Sequence, residues 1–236
     1  HGASASRQAV TAGSSTHLAA QEVRDKARKI ASHLMEAAEE DLEFVAGRVR
    51  VKGVSNLSVS LADLASAVTG VSGLSMPGGL EPGLEATKSF MVEGITYPNG
   101  CHIAEVEVDP DTGSVAITRY VIVHDCGNML NVTLVDGQVL GGLAHGIGNA
   151  LYERMEYDSG AQPQTTTLAD YLVPSACEVP SPEISHQVSP TPSNPLGVKG
   201  VGESGTVPAA AAIVSAIEDA LAPFGVTIAE TPIMPE

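Results

Sequence analysis

Five glycines (Gly137, Gly141, Gly142, Gly146 and Gly148) fall in a stretch that otherwise has the spacing of one long helix, from about Leu134 to Glu153. Asn131 stands just before it as a candidate N-cap. Each interior glycine costs about 1 kcal/mol relative to alanine. Such a helix persists only where bare backbone lets something approach closely, either another element or a bound cofactor. Gln138 and His145, two turns apart, share one of its faces.

A second glycine cluster lies downstream, at Gly197, Gly200, Gly202 and Gly205, with Glu203 the one acid within it. Pro208 suits a first helical turn and Thr206 a cap, and Ile213, Val214, Ile217 and Leu221 then follow at helical spacing. The expectation is a small-residue loop that carries one carboxylate towards a helix N-terminus, where free N–H groups can hold an anion. Gly200, Gly202 and Gly205 match G-x-G-x-x-G, but Pro192 and Pro195 occupy the place of the strand that a dinucleotide site requires.

The remaining elements follow from pattern. A helix is expected over His17–Ala38, with Ser15 as a possible cap and Leu18, Val23, Ala27, Ile30 and Leu34 inward. Residues 42–51 read as a strand pair around Gly47, and Ser60 to Val68 as a short helix opened by a Ser60/Asp63 capping box. Segment 70–82 reads as loop and Thr87–Gly94 as a short strand. Ala104, Val106 and Val108 alternate with Ile103, Glu105 and Glu107, turn at Pro110–Gly113, and return over Val115–Val123 as a hairpin. Residues 157–195 read as turn-rich.

Acids outnumber bases 28 to 12, giving a formal charge of −16, which argues against binding a nucleic-acid backbone. No apolar run approaches the roughly 18 to 20 residues of a membrane span. Cys101, Cys126 and Cys177 form no CxxC pair, and suggest reduced, core-packed thiols and a cytoplasmic setting. The N-terminus has neither a signal-peptide profile nor an initiating Met, as a processed or excised piece would have.

Glu203 is the candidate general base: flanked by glycine, it is reachable by substrate, and desolvation would raise its pKa into a useful range. A surface loop acid is the plainer account. Gln138 offers both donor and acceptor, as a heterocycle needs. Gly13, Ser14, Ser15 and Thr16 offer close backbone approach and hydroxyls before the first helix, or are simply its entrance loop. His124, Asp125 and Cys126 are metal-like in type, but no second cluster completes a zinc set. Lys199 could balance Glu203 or a phosphate, or be solvated. Ser204 lacks the G-x-S-x-G context of a hydrolase, because Glu203 takes the first glycine's place.

Gly200-Val-Gly-Glu203-Ser-Gly, followed by an alanine-rich helix, resembles the catalytic-glutamate loop of the molybdenum hydroxylases: xanthine dehydrogenase, aldehyde oxidase and the aerobic carbon monoxide dehydrogenase large subunit. Three further motifs precede it in the family's order: Tyr97–Asp109, His124-Asp-Cys-Gly-Asn-Met-Leu-Asn131 and Gly137-Gln-Val-Leu-Gly-Gly142. Gly13-Ser-Ser15 and the helix after it are similar to another cofactor-contacting stretch. The resemblance implies an α+β fold, with mixed sheets and packed amphipathic helices, as in the C-terminal cofactor-binding domain of aldehyde oxidase type. Its parts would be residues 1–85, a helix-containing region, and 86–236, with hairpin, glycine helix and glutamate loop.

On this resemblance, Glu203 would be the general base that takes a proton from a water-derived oxygen attacking an electron-poor carbon. Gln138 would hydrogen-bond a molybdopterin cofactor, with the cytosine dinucleotide form among the options. Gly202 would line the metal site, and Gly13, Ser14 and Ser15 would contact the cofactor's polar edge or phosphate. The pterin holds the molybdenum, so no protein metal ligand is implied. Implied partners are the upstream half of the molybdenum subunit, iron–sulfur and FAD chains or domains, and a small-molecule substrate: an aldehyde, an N-heterocycle or carbon monoxide. Val132 and His145 depart from the family's usual Pro and Gln, and its Gly-Gly-x-Phe-Gly segment and substrate-pocket loop are missing from the sequence. The alternative is a non-catalytic scaffold fragment that binds no cofactor alone.

Overall fold

A computed structural model describes residues 4–69 and 78–235, so most of the expected 70–82 loop lies outside the described residues. Contacts divide the chain into one compact unit of Thr11–Met91 and a second made from the chain before and after it.

The first unit is built on α1 (Ser14–Met35) and the strands β1 (Leu42–Val45), β2 (Arg48–Val51) and β3 (Val54–Ser60), followed by α2 (Leu61–Ala67). The three strands form an antiparallel sheet in that order. Gly47 and Gly53 make its two turns at positive φ. The capping box opens α2 as expected: Ser60 Oγ accepts from Asp63 N, and the Asp63 carboxylate accepts from Ser60 N. Ala27, Ile30 and Ala31 on α1 pack with Leu42, Val49, Leu64 and Val68. The buried stripe continues to Met35, which leaves the expected inward residue Leu34 exposed. Arg24 and Arg28 of α1 lie 5.1 and 5.5 Å from the centre of the Phe44 ring, so two guanidinium groups meet an aromatic face.

Two expectations in this unit are corrected. Ser15 does not cap α1; it lies inside the helix, donating to Thr11 O at 3.0 Å and accepting from Phe90 N at 3.0 Å. That second bond explains why residues 87–94 carry no strand: the Phe90 amide goes to a side chain instead of a neighbouring strand.

The second unit contains β4 (Asn99–Val108), β5 (Val115–Asp125), α3 (Val132–Leu151), β6 (Glu183–His186) and α4 (Ala209–Ala220). β4 and β5 form the expected hairpin, with a bulge at Glu105/Val106, and Ala104, Val106 and Val108 face inward. β6 pairs parallel to β5, from Val121↔Glu183 to His124↔His186. The inner face of the sheet presents Tyr120 and Ile122 to Val139, Leu143, Ile147 and Ala150 of α3 and to Ala209, Ile213 and Ile217 of α4. Asn131 caps α3 by accepting from Leu134 N.

The glycines of α3 divide by face. A Cβ on Gly142 would lie 2.7 Å from Gly205 Cα, and one on Gly146 would lie 2.2 Å from the Ala209 Cβ. Those two glycines let α3 close onto α4 and the loop before it. Gly137 and Gly141 instead have nothing within 4 Å of a Cβ position. Helices with one antiparallel and one mixed sheet bear out the α+β expectation. Among the described residues, no helix is long and apolar enough to cross a membrane.

Candidate active site

The loop before α4 is fixed at both ends. Upstream, Val198 bridges Gly127, Lys199 N donates to Cys126 O at 2.7 Å, and Asn128 N donates to Gly197 O at 3.0 Å. Asn194 Oδ1 accepts from Leu196 N and Val198 N, folding the turn on itself. Downstream, Gly205 lies so close to α3 that a Cβ there would be 2.2 Å from Val139 O. Between these ends, Glu203 projects as an exposed side chain.

Glu203 O accepts from both Thr206 N and Val207 N, and Ala209 N donates to Thr206 O. Turns therefore begin well ahead of α4, and backbone carbonyls already serve these amides. For that reason the expected Thr206 cap does not form; Pro208 holds the cap position with no side-chain bond. The structure brings Gly202 and Gln138 together, since a Cβ on Gly202 would be 3.9 Å from Gln138 Oε1. Ser6 also meets this loop, its Oγ 2.8 Å from that Cβ position, a neighbour that sequence spacing had no means of showing. Gly13, Ser14 and Ser15 belong to the other unit, where Ser14 is fully buried and its Oγ has no partner among the described residues.

Lys199 is neither solvated nor paired with Glu203. Its Nζ lies 2.5 Å from Asp125 Oδ2, with the two side chains only 11% and 9% exposed. Asp125 Oδ1 also accepts from Gly127 N and Ser189 N. Burial pushes the Asp125 carboxyl up, but the Lys199 ammonium and the two N–H groups outweigh it and hold the pKa below the ordinary value. Of the cysteines expected in the core, only Cys126 is buried; Cys101 and Cys177 are exposed, Cys101 on the outer face of the hairpin.

His124 is buried at the end of β5, its Nε2 2.8 Å from His186 Nδ1, and His186 Nε2 lies 2.9 Å from Asp136 Oδ1. His102 Nδ1 lies 3.0 Å from Tyr120 Oη. Burial lowers the pKa of both His102 and His124, and the neighbouring His186 lowers His124 further. A group with a depressed folded pKa stabilises fully above its unfolded value and loses that contribution as pH falls. Stability is therefore expected to decline as pH drops below about 6.5, the unfolded histidine value. Urea unfolding from pH 7.5 to 5 checks this, and replacing both histidines by Asn should flatten the slope.

As for what the site could hold, the loop and α3 offer an amide, bare backbone and a carboxylate. Gly137 and Gly141 lie near Gln138 in the helix and are exposed, with nothing within 4 Å of a Cβ position. Among the described residues, no group of three or more His, Cys, Asp or Glu is placed to hold a metal ion directly. This donor set suits a large polar organic group better than a bare cation.

A family model described as a molybdopterin cofactor-binding domain matches residues 1–180, which include Gly13, Ser14, Ser15 and Gln138 but not Gly202 or Glu203. The nicotine 6-hydroxylase large subunit of Paenarthrobacter nicotinovorans is 41% identical, over 98% of this chain and 28% of its own length. The carbon monoxide dehydrogenase large chain of Hydrogenophaga pseudoflava is 37% identical, over 96% of this chain and 28% of its own. In structure, quinoline 2-oxidoreductase from Pseudomonas putida 86 is similar with a TM-score of 0.87 and 40% identity, covering 98% of this chain and 29% of that one. The chain thus spans under a third of the proteins it matches. With fold, motif order and family model in agreement, the chain belongs to the molybdopterin cofactor-binding domain family of the molybdenum hydroxylases.

Proposed function

We propose that this chain forms the C-terminal, cofactor-binding part of a molybdenum hydroxylase large subunit, with Glu203 as the general base. The reaction is oxidative hydroxylation of an aldehyde or N-heterocycle with a water-derived oxygen, or oxidation of carbon monoxide. The observation that supports this reading is that Gly202, the residue before Glu203, comes up against Gln138 on a loop held at both ends. When bound, the molybdenum cofactor supplies the redox chemistry by accepting the electron pair removed from the substrate.

The chain's own residues bind, place and move a proton. Gln138 offers its amide to the cofactor as donor and acceptor. Gly202, whose missing side chain lets Ser6 and Gln138 come close, lines the metal site. Glu203 accepts a proton on a carboxylate oxygen as the water-derived oxygen attacks. The carboxylate is exposed in this chain, within reach of a substrate. Gly13, Ser14 and Ser15 contact the cofactor's polar edge or phosphate, the cytosine dinucleotide form included. Iron–sulfur and flavin-bearing partners carry the electrons onward in a cytoplasmic complex.

The exposure of Glu203 also favours a second reading, in which the chain alone is a scaffold that binds no cofactor. Molybdenum analysis of the full-length protein with Gln138→Ala tests the first reading. Loss of a hydrogen bond of about 1–3 kcal/mol should weaken retention of the cofactor, leaving roughly a tenth to a half of the metal after extensive dialysis. Full molybdenum occupancy in the variant would count against the Gln138 contact. Absence of molybdenum from this chain expressed alone, beside a full-length protein that holds it, would favour the scaffold.

A further inference from the structure

We propose that Asp125 and Lys199 form a positioning pair that sets the direction in which Glu203 is presented. The proposal rests on the general-base reading of Glu203 and assigns that site a device 74 residues apart in sequence.

The carboxylate of Asp125 joins three chain segments. It accepts from Gly127 N at 2.8 Å, from Ser189 N at 3.1 Å and from Lys199 Nζ at 2.5 Å. The Lys199 backbone is held to the same strand end through its N–H to Cys126 O. One residue away, Gly127 takes φ +70, and a Cβ there would lie 2.2 Å from Gly197 O, so the two segments cross in direct backbone contact. Lys199 is therefore fixed in both main chain and side chain.

Glu203 follows four residues later, a reach of about 14 Å at most. Those residues have little freedom. Gly200 and Gly202 lie against Ser6, and Gly205 lies against the Val139 carbonyl. The carboxylate thus sits on a short bridge between the Asp125–Lys199 clamp and α3. Stability alone gives no reason for charges in the clamp, because burying two ions removes hydration that a pair of apolar side chains would not lose. What the ion pair adds is direction: the ammonium has one carboxylate oxygen to meet, and meeting it fixes where the following residues start. An error of about 1 Å in the placement of a reacting group can reduce a rate by about 100-fold.

The test uses the full-length enzyme. The double variant Lys199→Met with Asp125→Asn removes both charges together, and Asn retains a carbonyl oxygen for Gly127 and Ser189. Nicotine, quinoline and carbon monoxide serve as probe substrates, and the one turned over fastest is used throughout. The expected result is unchanged molybdenum content, KM within about threefold, and kcat lower by about 10- to 100-fold. Amide hydrogen exchange over 200–206 should be about tenfold faster, with exchange in α4 unchanged. In a Glu203→Gln background the same pair of changes should alter kcat less than twofold, because the residue it serves is already gone. A normal kcat in the double variant, with Glu203→Gln inactive, overturns the clamp and leaves the base in place. An equal loss in both backgrounds overturns it too, by showing an action independent of Glu203. Near-normal turnover of Glu203→Gln would remove the base itself, and the clamp's role with it.

Discussion

Glu203→Gln in the full-length molybdenum enzyme is expected to keep its cofactor and lose about 1,000-fold in kcat, within the about 100- to 10,000-fold range for a positioned general base. The amide matches the carboxylate in size, so the clamp on the loop and the packing of Gly205 against α3 remain as they are. What disappears is the capacity to accept a proton at neutral pH. KM should change little, because the interaction lost belongs to the transition state. Metal analysis beside steady-state kinetics separates this from simple loss of cofactor. Intact metal with turnover reduced less than tenfold would exclude the assigned role.

The second large effect is structural. Gly205→Ala is expected to destabilise the protein by about 2–3 kcal/mol, the upper part of the range for overpacking. The new methyl would stand 2.2 Å from Val139 O and 2.9 Å from Val139 Cα, backbone atoms inside a helix that cannot turn aside as a side chain could. In a urea titration the midpoint should fall with an unchanged slope. Gly141→Ala is the matching control. With nothing within 4 Å of its Cβ position, it should gain about 0.5–1 kcal/mol from helix propensity. Equal effects at the two positions would refute the close packing of Gly205 against α3 and the open setting of Gly141.

What could be read in the sequence was local. The Ser60/Asp63 capping box, the Asn131 cap and the β4–β5 hairpin each depend on residues a few positions apart, and each formed where expected. The glycine helix was legible as a demand for close approach, though its partner was not named: Gly205 and Ala209 lie more than 60 positions away. Several misses had a partner distant along the chain: β6 lies between Pro182 and Pro190 yet finds β5, about 60 positions upstream. Thr87–Gly94 carries no strand, and its Phe90 amide goes to the Ser15 side chain, 75 positions upstream. Lys199 gave no sign of its burial, because its counter-charge is 74 positions upstream. At the site, the motifs singled out Gln138, Gly202 and Glu203. The approach of Ser6 and the role of Asp125 required the folded chain.

The interlock of α3 with the glutamate loop bears on how this unit can move. Main chain touches main chain at Gly142, Gly205 and Val139, without long side chains that could swing aside. Such a seam has no soft rotamers through which to yield, and one half cannot slide over the other without breaking backbone contacts. Any movement within this unit must therefore hinge elsewhere, with this seam serving as the fixed jamb.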